Sequence, residues 1–228
     1  MVTVISLGGS IVAPDSADGQ FLKQFVNLIR SLIEEDSERR FIFVVGGGGP
    51  ARAWQNAYRE VCGNSAIDEE ADWIGIMATR LNAQLVKAAM SEWCPQDVVT
   101  DPTQAEPLKG NVLLAAGWKP GFSSDNDAVL LAERFNAKIV INLSNIEKVY
   151  TADPKKDPSA KPLDHISWDD FRAMVGDEWV PGKNVPFDPV ASRYAQKIGL
   201  KVICAAGRDL ENLKKIICGG DFAGTTIG

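Results

Sequence analysis

The amino-acid sequence predicts an α/β protein of three layers, in which helices cover both faces of a mostly parallel sheet. Short apolar runs alternate along the chain with segments whose apolar residues recur at helical spacing. This alternation is typical of such sheets. The 228 residues, 45% of them hydrophobic, are enough for one sizeable core. Since no long linker or repeat divides them, we expect a single domain spanning residues 1–228.

The predicted strands are short apolar runs, most of them rich in β-branched residues. They cover residues 2–7, 41–45, 97–99, 112–115, 138–143 and 201–205. Three of them end in "LGGS", "VVGGGG" and "INLSN". Ligands of open parallel sheets bind beyond the carboxyl ends of the strands, so we expect the functional site at these three ends.

The predicted helices follow from apolar spacing and from residues that favour helix starts. They cover residues 21–33, 50–61, 68–92, 125–135, a short segment from Ser167, 188–198 and 209–217. Pro50 suits a first helical turn, and Ser123 or Ser124 is the expected cap of the helix from Asp125. Helix 68–92 has an apolar stripe that would face either the core or another subunit. The stripe consists of Ile74, Met77, Ala78, Leu81, Leu85 and Ala88.

Composition argues against several classes of function. A net charge of −6 and a pI of about 4.9 do not suit a protein that binds nucleic-acid backbone. The four cysteines lie far apart and there is one histidine, so we expect no clustered metal site but reduced, mostly buried thiols in a cytoplasmic protein. The N-terminus resembles a first strand rather than a signal peptide. No apolar run approaches the roughly 20 residues needed to span a bilayer, so no membrane partner is expected.

Two glycine-rich turns are the first candidate for chemistry. Gly8-Gly9 and the run Gly46–Gly49 each follow an apolar strand. Bare amides and the helix N-termini after them suit anionic groups, phosphates first, although glycine turns also let chain segments pack closely. Neither turn matches G-x-G-x-x-G or G-x-x-x-x-G-K-[ST].

Longer motifs carry a resemblance over nearly the whole chain. They are "LGGS", "VVGGG" with Arg52, "DWIGIMATRLNA", "PGFSSDNDAVLLAE", "VYTADPKKDPSAK", the Asp188-Pro189 pair and the terminal "GTTI". With these motifs the chain resembles the amino acid kinase superfamily, and within it the archaeal-type uridylate (UMP) kinases. The resemblance implies an amino acid kinase-like fold, with the acceptor part mainly N-terminal and the ATP part mainly C-terminal. It also implies phosphoryl transfer from Mg-ATP to UMP, and a homo-oligomer, hexamer or dimer.

The resemblance also implies roles for individual residues. Those expected to bind ATP are Gly8, Gly9, Ser10, Gly47, Arg52, Ser144, Asn145, Tyr150, Asp153 and Lys156. Those expected to bind UMP are Gly46, Asp72, Gly75, Gly121, Phe122, Ser123 and Ser124. The expected catalytic residues are Asp125, Arg52, Asp188 and Lys148.

Simpler interpretations stand beside several of these roles. Arg52 could be a surface arginine, Asp125 a helix cap, Asp188 a helix start, and Phe122 a core aromatic. Thr79 and Arg80 would line the pocket, join an oligomer contact or lie on a solvated helix face. Asp127 is interpreted as an ordinary first-turn acid.

The chain departs from the family pattern near the expected transfer site. Ser6 stands where much of the superfamily has a lysine, and Glu147-Lys148 replaces the usual Asp-Gly pair. We therefore expect Mg²⁺ and nearby cations to neutralise the moving phosphoryl group. The candidate cations are Arg52, Lys148, Lys156 and Lys183. The alternatives are a kinase of another small phosphate or carboxylate acceptor, and a non-catalytic protein that binds nucleotides or stores oxyanions.

Overall fold

The structure, a computed structural model, describes residues 2–178 and 185–228. Its strands are β1 Val2–Leu7, β2 Arg40–Val45, β3 Val112–Ala115, β4 Ile139–Ser144, β5 Val149–Tyr150, β6 Pro162–Leu163, β7 His165–Ile166, β8 Lys201–Ala206 and β9 Thr225–Ile227. Its α-helices are α1 Gly9–Val12, α2 Gly19–Glu35, α3 Gly48–Cys62, α4 Asp68–Ala89, α5 Ser124–Arg134, α6 Trp168–Val175, α7 Pro189–Lys197 and α8 Leu210–Cys218.

Seven of the described strands form one sheet in the order β3-β2-β1-β4-β8-β9-β7. The five strands from β3 to β8 are mutually parallel. β9 pairs antiparallel with β8, and β7 pairs parallel with β9. The chain leaves β1 toward β2 on one side and later returns to β4 on the other side. The carboxyl ends of β1 and β4 therefore flank a topological switch point, where such sheets bind ligands.

Helices cover both faces of this sheet and give it two cores. Ile5, Leu7 and Phe43 pack with α2, α4 and α8 on one face. Val4 and Ile42 pack with α5, α6 and α7 on the other face. This alternation of neighbouring strand residues between two cores is what a strand buried on both faces requires. The predicted three-layer fold is confirmed.

Helix α3 lies outside these layers, because none of its residues is buried, and it packs against α4. The stripe predicted on α4 is exposed at Met77, Leu81, Leu85 and Ala88. The core interpretation of that stripe is therefore wrong for these four residues. The side of α4 that faces the core carries Ile76, Ala83 and Val86.

Other local predictions also differ from the structure. The strand predicted over residues 97–99 is wrong, because Val99 makes only an isolated bridge to Ala115. Cys94 and Cys204 are buried, but Cys62 is half-buried and Cys218 is exposed, so the thiols are not mostly buried. In residues 2–178 and 185–228, no helix is both long and apolar enough to cross a membrane.

Candidate active site

The two glycine turns lie directly against each other at the carboxyl ends of β1 and β2. A Cβ atom on Gly9 would lie 2.1 Å from the Gly48 nitrogen, and a Cβ on Gly46 would lie 2.4 Å from the Gly9 nitrogen. Gly48 also has a positive φ of 67°, which side chains other than glycine rarely adopt. Close packing of the two turns thus explains these glycines without a ligand, and their role toward phosphate stays a prediction.

The first glycine turn is also tied to β4. The Gly8 amide donates to the Leu143 carbonyl at 3.0 Å, and a Cβ on Gly8 would lie 2.6 Å from that oxygen. Ser10 follows within α1, a helix of four residues. The structure therefore places Gly8 and Gly9 at the switch point, next to Ser144 at the end of β4.

Asp125 lies at the centre of a small polar cluster beside these turns. Its Oδ1 accepts a hydrogen bond from the Ser6 hydroxyl at 3.1 Å, and its Oδ2 accepts one from the Asp188 amide at 3.1 Å. Burial raises the pKa of Asp125 to about 6, and the nearby Asp188 carboxylate adds to the rise. Asp125 is not the helix cap, because the Ser123 side chain caps α5.

Asp188 holds the start of α7 and also borders the cluster. Its carboxylate caps the helix by accepting from the Ala191 amide at 2.8 Å, and it accepts from the Asn126 side chain at 3.3 Å. The segment before it is fixed over the sheet, since Asn142 donates to the Pro186 carbonyl at 2.9 Å. Sequence reasoning missed Asn126 and Asn142, although an asparagine inside the apolar run of β4 was a signal.

Asp127 lies in the first turn of α5 as predicted, but the interpretation of it as an ordinary acid there is wrong. It is buried, with 1% of its surface exposed, because it points beneath the loop before α5 rather than into solvent. Its Oδ2 accepts from the Trp118 amide at 3.2 Å, whereas Oδ1 has no hydrogen-bond partner among the described residues. Burial raises the pKa of Asp127 to about 7, and Asp125 and Asp101 add to the rise.

Residues 117–122 connect β3 to α5, and we call them the acceptor loop because Gly121 and Phe122 are expected to bind UMP. Asp72 on α4 contacts this loop by accepting from the Gly121 amide at 3.2 Å, so two residues expected to bind UMP lie together. Phe122 is 36% exposed and packs edge-on against Trp118, with ring centres 4.7 Å apart. Phe122 is therefore not a core aromatic.

Gly75 has a structural explanation other than approach by the acceptor. It is buried, and a Cβ on it would lie 2.6 Å from the Gln55 side-chain nitrogen on α3. Thr79 and Arg80 do not lie on a solvated helix face either, since both side chains contact the acceptor loop.

Arg52 is exposed on the first turns of α3. Its Nη2 donates to the Pro14 carbonyl at 3.1 Å, in the loop between α1 and α2. The side chain thus borders the glycine turns, because the Gly49 amide donates to the neighbouring Ala13 carbonyl at 2.8 Å. Whether Arg52 binds a phosphate stays a prediction.

The other residues expected to bind ATP lie in two places. Ser144 ends β4, where its carbonyl accepts from the Gly207 amide at 2.8 Å, and Asn145 follows it on the surface. Tyr150 lies in the β5-β6 ribbon, and Asp153 closes a turn by accepting from the Lys155 amide at 3.0 Å. Lys156 is exposed in the same turn.

One expected cation, Lys148, does not lie free at the site. Lys148 forms a salt bridge with Asp164, so it would have to leave that partner to contact a phosphate. Lys183 lies outside the described residues.

A bound metal ion would need ligands from the substrate in addition to those from the protein. No cluster of three or more His, Cys, Asp or Glu residues in the described ranges is placed to hold one. Asp125 nevertheless fits Mg²⁺, which proteins typically bind through one or two carboxylates together with substrate phosphates. Each Asp125 oxygen accepts one hydrogen bond, so each keeps a further lone pair.

Known proteins of one family are similar to this chain over most of its length. A profile of the amino acid kinase family matches residues 1–206. The chain belongs to the amino acid kinase family. This amino acid kinase is 35% identical to a uridylate kinase of Methanocorpusculum labreanum, over 99% of its own length and 94% of the relative. It is 34% identical to a uridylate kinase of Methanospirillum hungatei, over 98% and 93% of the two chains.

A solved structure shows the same relationship. The crystal structure of uridylate kinase from Archaeoglobus fulgidus matches this amino acid kinase with a TM-score of 0.85 and 34% identity, over 100% of both chains. The predicted family resemblance is thereby confirmed.

Proposed function

We propose that this amino acid kinase is a uridylate kinase, which transfers the γ-phosphoryl group of ATP to UMP and releases UDP and ADP. The structural observation that carries the proposal is the position of Asp125, which Ser6 of β1 holds near the switch point of the sheet. Relatives that are 34–35% identical over nearly the whole chain bear the name uridylate kinase. The reaction would serve pyrimidine nucleotide biosynthesis.

The chemistry requires two polyanions to meet end to end. An ionised phosphate oxygen of UMP attacks the γ-phosphorus, so the protein has little covalent work and contributes mainly positioning and charge stabilisation. The first glycine turn lies next to β4 and Ser144, which suits the donor phosphates. The second glycine turn and the acceptor loop lie on the side of α4, which suits UMP. In this arrangement the two substrates meet beside the contact between the two turns, and the phosphoryl group is transferred there.

Asp125 would hold Mg²⁺ together with phosphate oxygens of ATP. The bound ion would neutralise charge on the transferred group, which matters here because Ser6 carries no charge. The remaining positive charge would come from Arg52, whose guanidinium can make forked contacts with a phosphate. Lys148 and Lys156 are further candidates for the donor phosphates.

The protein is proposed to work as a homo-oligomer, a dimer or a hexamer, because α3 and α4 expose large apolar side chains. Trp54 on α3 is 68% exposed, and Met77 and Leu81 on α4 are 58% and 71% exposed. Large exposed apolar side chains on two helices that pack together are typical of an interface. A second copy of the chain fits this face best, because symmetric contacts between identical patches are the commonest form of assembly.

The proposed location is the cytoplasm, where free thiols stay reduced, since all four cysteines are free.

The test is ADP release from Mg-ATP by the purified protein with UMP, CMP, dCMP, GMP, AMP or no acceptor. We expect release that depends on UMP, and we expect Asp125→Asn to lower it by about 100-fold or more while the fold is retained. Activity with another monophosphate would support the phosphoryl-transfer chemistry but would assign a different acceptor. ATP binding without acceptor-dependent release would overturn the proposal and favour a non-catalytic nucleotide- or oxyanion-binding protein.

A further inference from the structure

Helix α4 carries a row of polar side chains that contact two separate loops of the candidate site. We propose that Thr79, Arg80 and Asn82 are positioning residues, which hold the acceptor loop and the second glycine turn at the separation that the acceptor monophosphate requires. The inference rests on the proposed function, because it names the acceptor side of that site. The three residues belong to the motif D-x-x-G-x-x-x-T-R-x-N, whose Asp72 and Gly75 are expected to bind UMP.

The backbone of the acceptor loop is held by side chains instead of by a strand partner. The Gly117 amide donates to the Thr79 hydroxyl at 2.8 Å. Arg80 donates to the Gly117 carbonyl through Nε and Nη2, both at 3.3 Å, and to the Trp118 carbonyl through Nη2 at 3.0 Å. On the opposite side, Asp127 of α5 accepts from the Trp118 amide. The first two residues of the loop are thus fixed from both helices.

The same helix holds the second glycine turn. Asn82 is buried, and its side-chain nitrogen donates to the Gly46 carbonyl at 2.9 Å and to the Gly47 carbonyl at 3.1 Å. Asp72, Thr79 and Asn82 are spaced by seven and three residues, so they share one face of α4. One rigid helical face therefore sets the distance between the two loops.

The acceptor loop leads directly to the residues expected to surround UMP. Phe122 ends the loop, Ser123 caps α5, and Asp125 lies in the first turn of that helix. A shift of Gly117 and Trp118 would be passed along this short connection to the acceptor site. Ser144 and Tyr150, which are expected to bind ATP, lie on β4 and in the β5-β6 ribbon, and Gly47 is held by Asn82 rather than by Thr79. We therefore expect loosening at Thr79 to weaken acceptor binding more than ATP binding.

The deciding variant is Thr79→Val, which removes the hydroxyl while keeping the shape of the side chain. Its conservative partner is Thr79→Ser, which keeps the hydroxyl. The control is Asn111→Ala. Asn111 donates to the Ser37 and Arg39 carbonyls at 2.8 and 3.0 Å, like Asn82 to its two carbonyls, but it lies at the amino end of β3.

Two measurements are made on all four proteins. The first is hydrogen–deuterium exchange of a peptide covering residues 116–122, without any substrate. The second is the KM for UMP and for ATP, with kcat. We expect Thr79→Val to exchange faster in this peptide and to raise the KM for UMP by about tenfold, because a buried amide loses its acceptor. The KM for ATP should stay within about twofold, Thr79→Ser should resemble the wild type, and Asn111→Ala should change neither quantity.

Each outcome bears on the inference. If peptide 116–122 exchanges equally fast in wild type and in Thr79→Val, the claim that Thr79 holds the acceptor loop is overturned, whatever the kinetic results are. Faster exchange with equal changes in both KM values, or with none, would overturn the link to the acceptor and leave a merely structural role. If the wild type releases no ADP with UMP, the proposed function fails and the acceptor part of this inference fails with it. The exchange result then still decides whether α4 holds the loop.

Discussion

Ser6 donates a hydrogen bond of 3.1 Å to Asp125, and this contact joins strand β1 to the start of α5. Ser6 stands at the position where a lysine is common in the superfamily. The serine orients the carboxylate, and the Asp188 amide on the other oxygen completes the arrangement. A hydroxyl adds no positive charge, however, so orientation and charge neutralisation are separate tasks in this chain.

The first prediction concerns this orientation. Ser6→Ala removes the hydroxyl and should lower kcat roughly threefold to tenfold, because Asp125 loses one of its two fixed partners. Steady-state kinetics with saturating substrates measures the effect. Ser6→Thr keeps a hydroxyl and should recover most of the rate. Ser192→Ala, which removes another buried hydroxyl that donates to the Asp188 carbonyl at 2.7 Å, is the matched control. An equal loss in Ser6→Ala and Ser192→Ala would contradict the prediction.

The second prediction concerns the contact between the glycine turns. Gly9→Ala places a methyl group 2.1 Å from the backbone nitrogen of Gly48, which neither turn can relieve by a side-chain movement. We expect a loss of at least about 2 kcal/mol in the free energy of unfolding, or failure to fold. Gly19→Ala is the control, because no atom outside its chain neighbours and the backbone of its own helix lies within 4 Å of the added methyl group. It should be neutral or stabilising by about 0.4–1 kcal/mol. Urea denaturation measures the free energy of unfolding of both variants. Similar values for Gly9→Ala and Gly19→Ala would contradict the prediction.

The third prediction follows from the buried carboxyl of Asp127. Its pKa is about 7 in the folded protein, whereas the ordinary value is 3.8. The unfolded chain therefore loses this proton at lower pH than the folded chain does, and the free energy of unfolding falls as the pH rises between these values. About 3 pKa units correspond to roughly 4 kcal/mol at most.

Asp127→Asn does not titrate and keeps an acceptor for the Trp118 amide. The stability of the variant relative to the wild type should therefore increase as the pH rises from 4 to 8. Chemical denaturation across this range, without nucleotide or metal, measures the difference. A difference independent of pH would show that Asp127 is ionised as easily in the folded protein as in the unfolded chain.

The fourth prediction separates the two possible roles of Lys148. If Lys148 reaches the ATP phosphates, Lys148→Ala should raise the KM for ATP about threefold to tenfold. Asp164→Asn breaks the same salt bridge but keeps the lysine, so its KM for ATP should be unchanged or lower. Unchanged turnover and ATP affinity in Lys148→Ala would leave Lys148 as a surface ion pair, which typically contributes little.

The fifth prediction tests the proposed oligomer. Leu81→Glu places a charge in the middle of the exposed apolar face of α4 and should shift the protein toward monomers. Light scattering after size-exclusion chromatography measures the mass. Ile139→Glu, at a partly exposed position at the amino end of β4, should leave the mass unchanged. A wild type that is already monomeric would contradict the interface.

The order of strands and helices could be predicted from the sequence because it depends on local patterns. Apolar runs predicted β1, β2 and β4, and helical spacing predicted α2 and α5. The terminal strand β9 escaped because three residues carry no periodicity, and its partner β8 lies some twenty residues earlier in the chain. The strand expected at residues 97–99 failed because only Val99 pairs with β3, and local composition does not show how far such pairing extends.

Sequence by itself determined the family, the three-layer fold and the set of motifs that meet at the carboxyl edge of the sheet. Tertiary structure alone decided what those motifs contact. Only the packing shows that Gly9 faces Gly48, that Asp127 is buried, that Lys148 pairs with Asp164, and that Asn82 holds the second glycine turn. The reason is physical: hydrophobic periodicity reports which side of an element is buried, whereas hydrogen bonds and desolvation depend on residues brought together from distant parts of the chain.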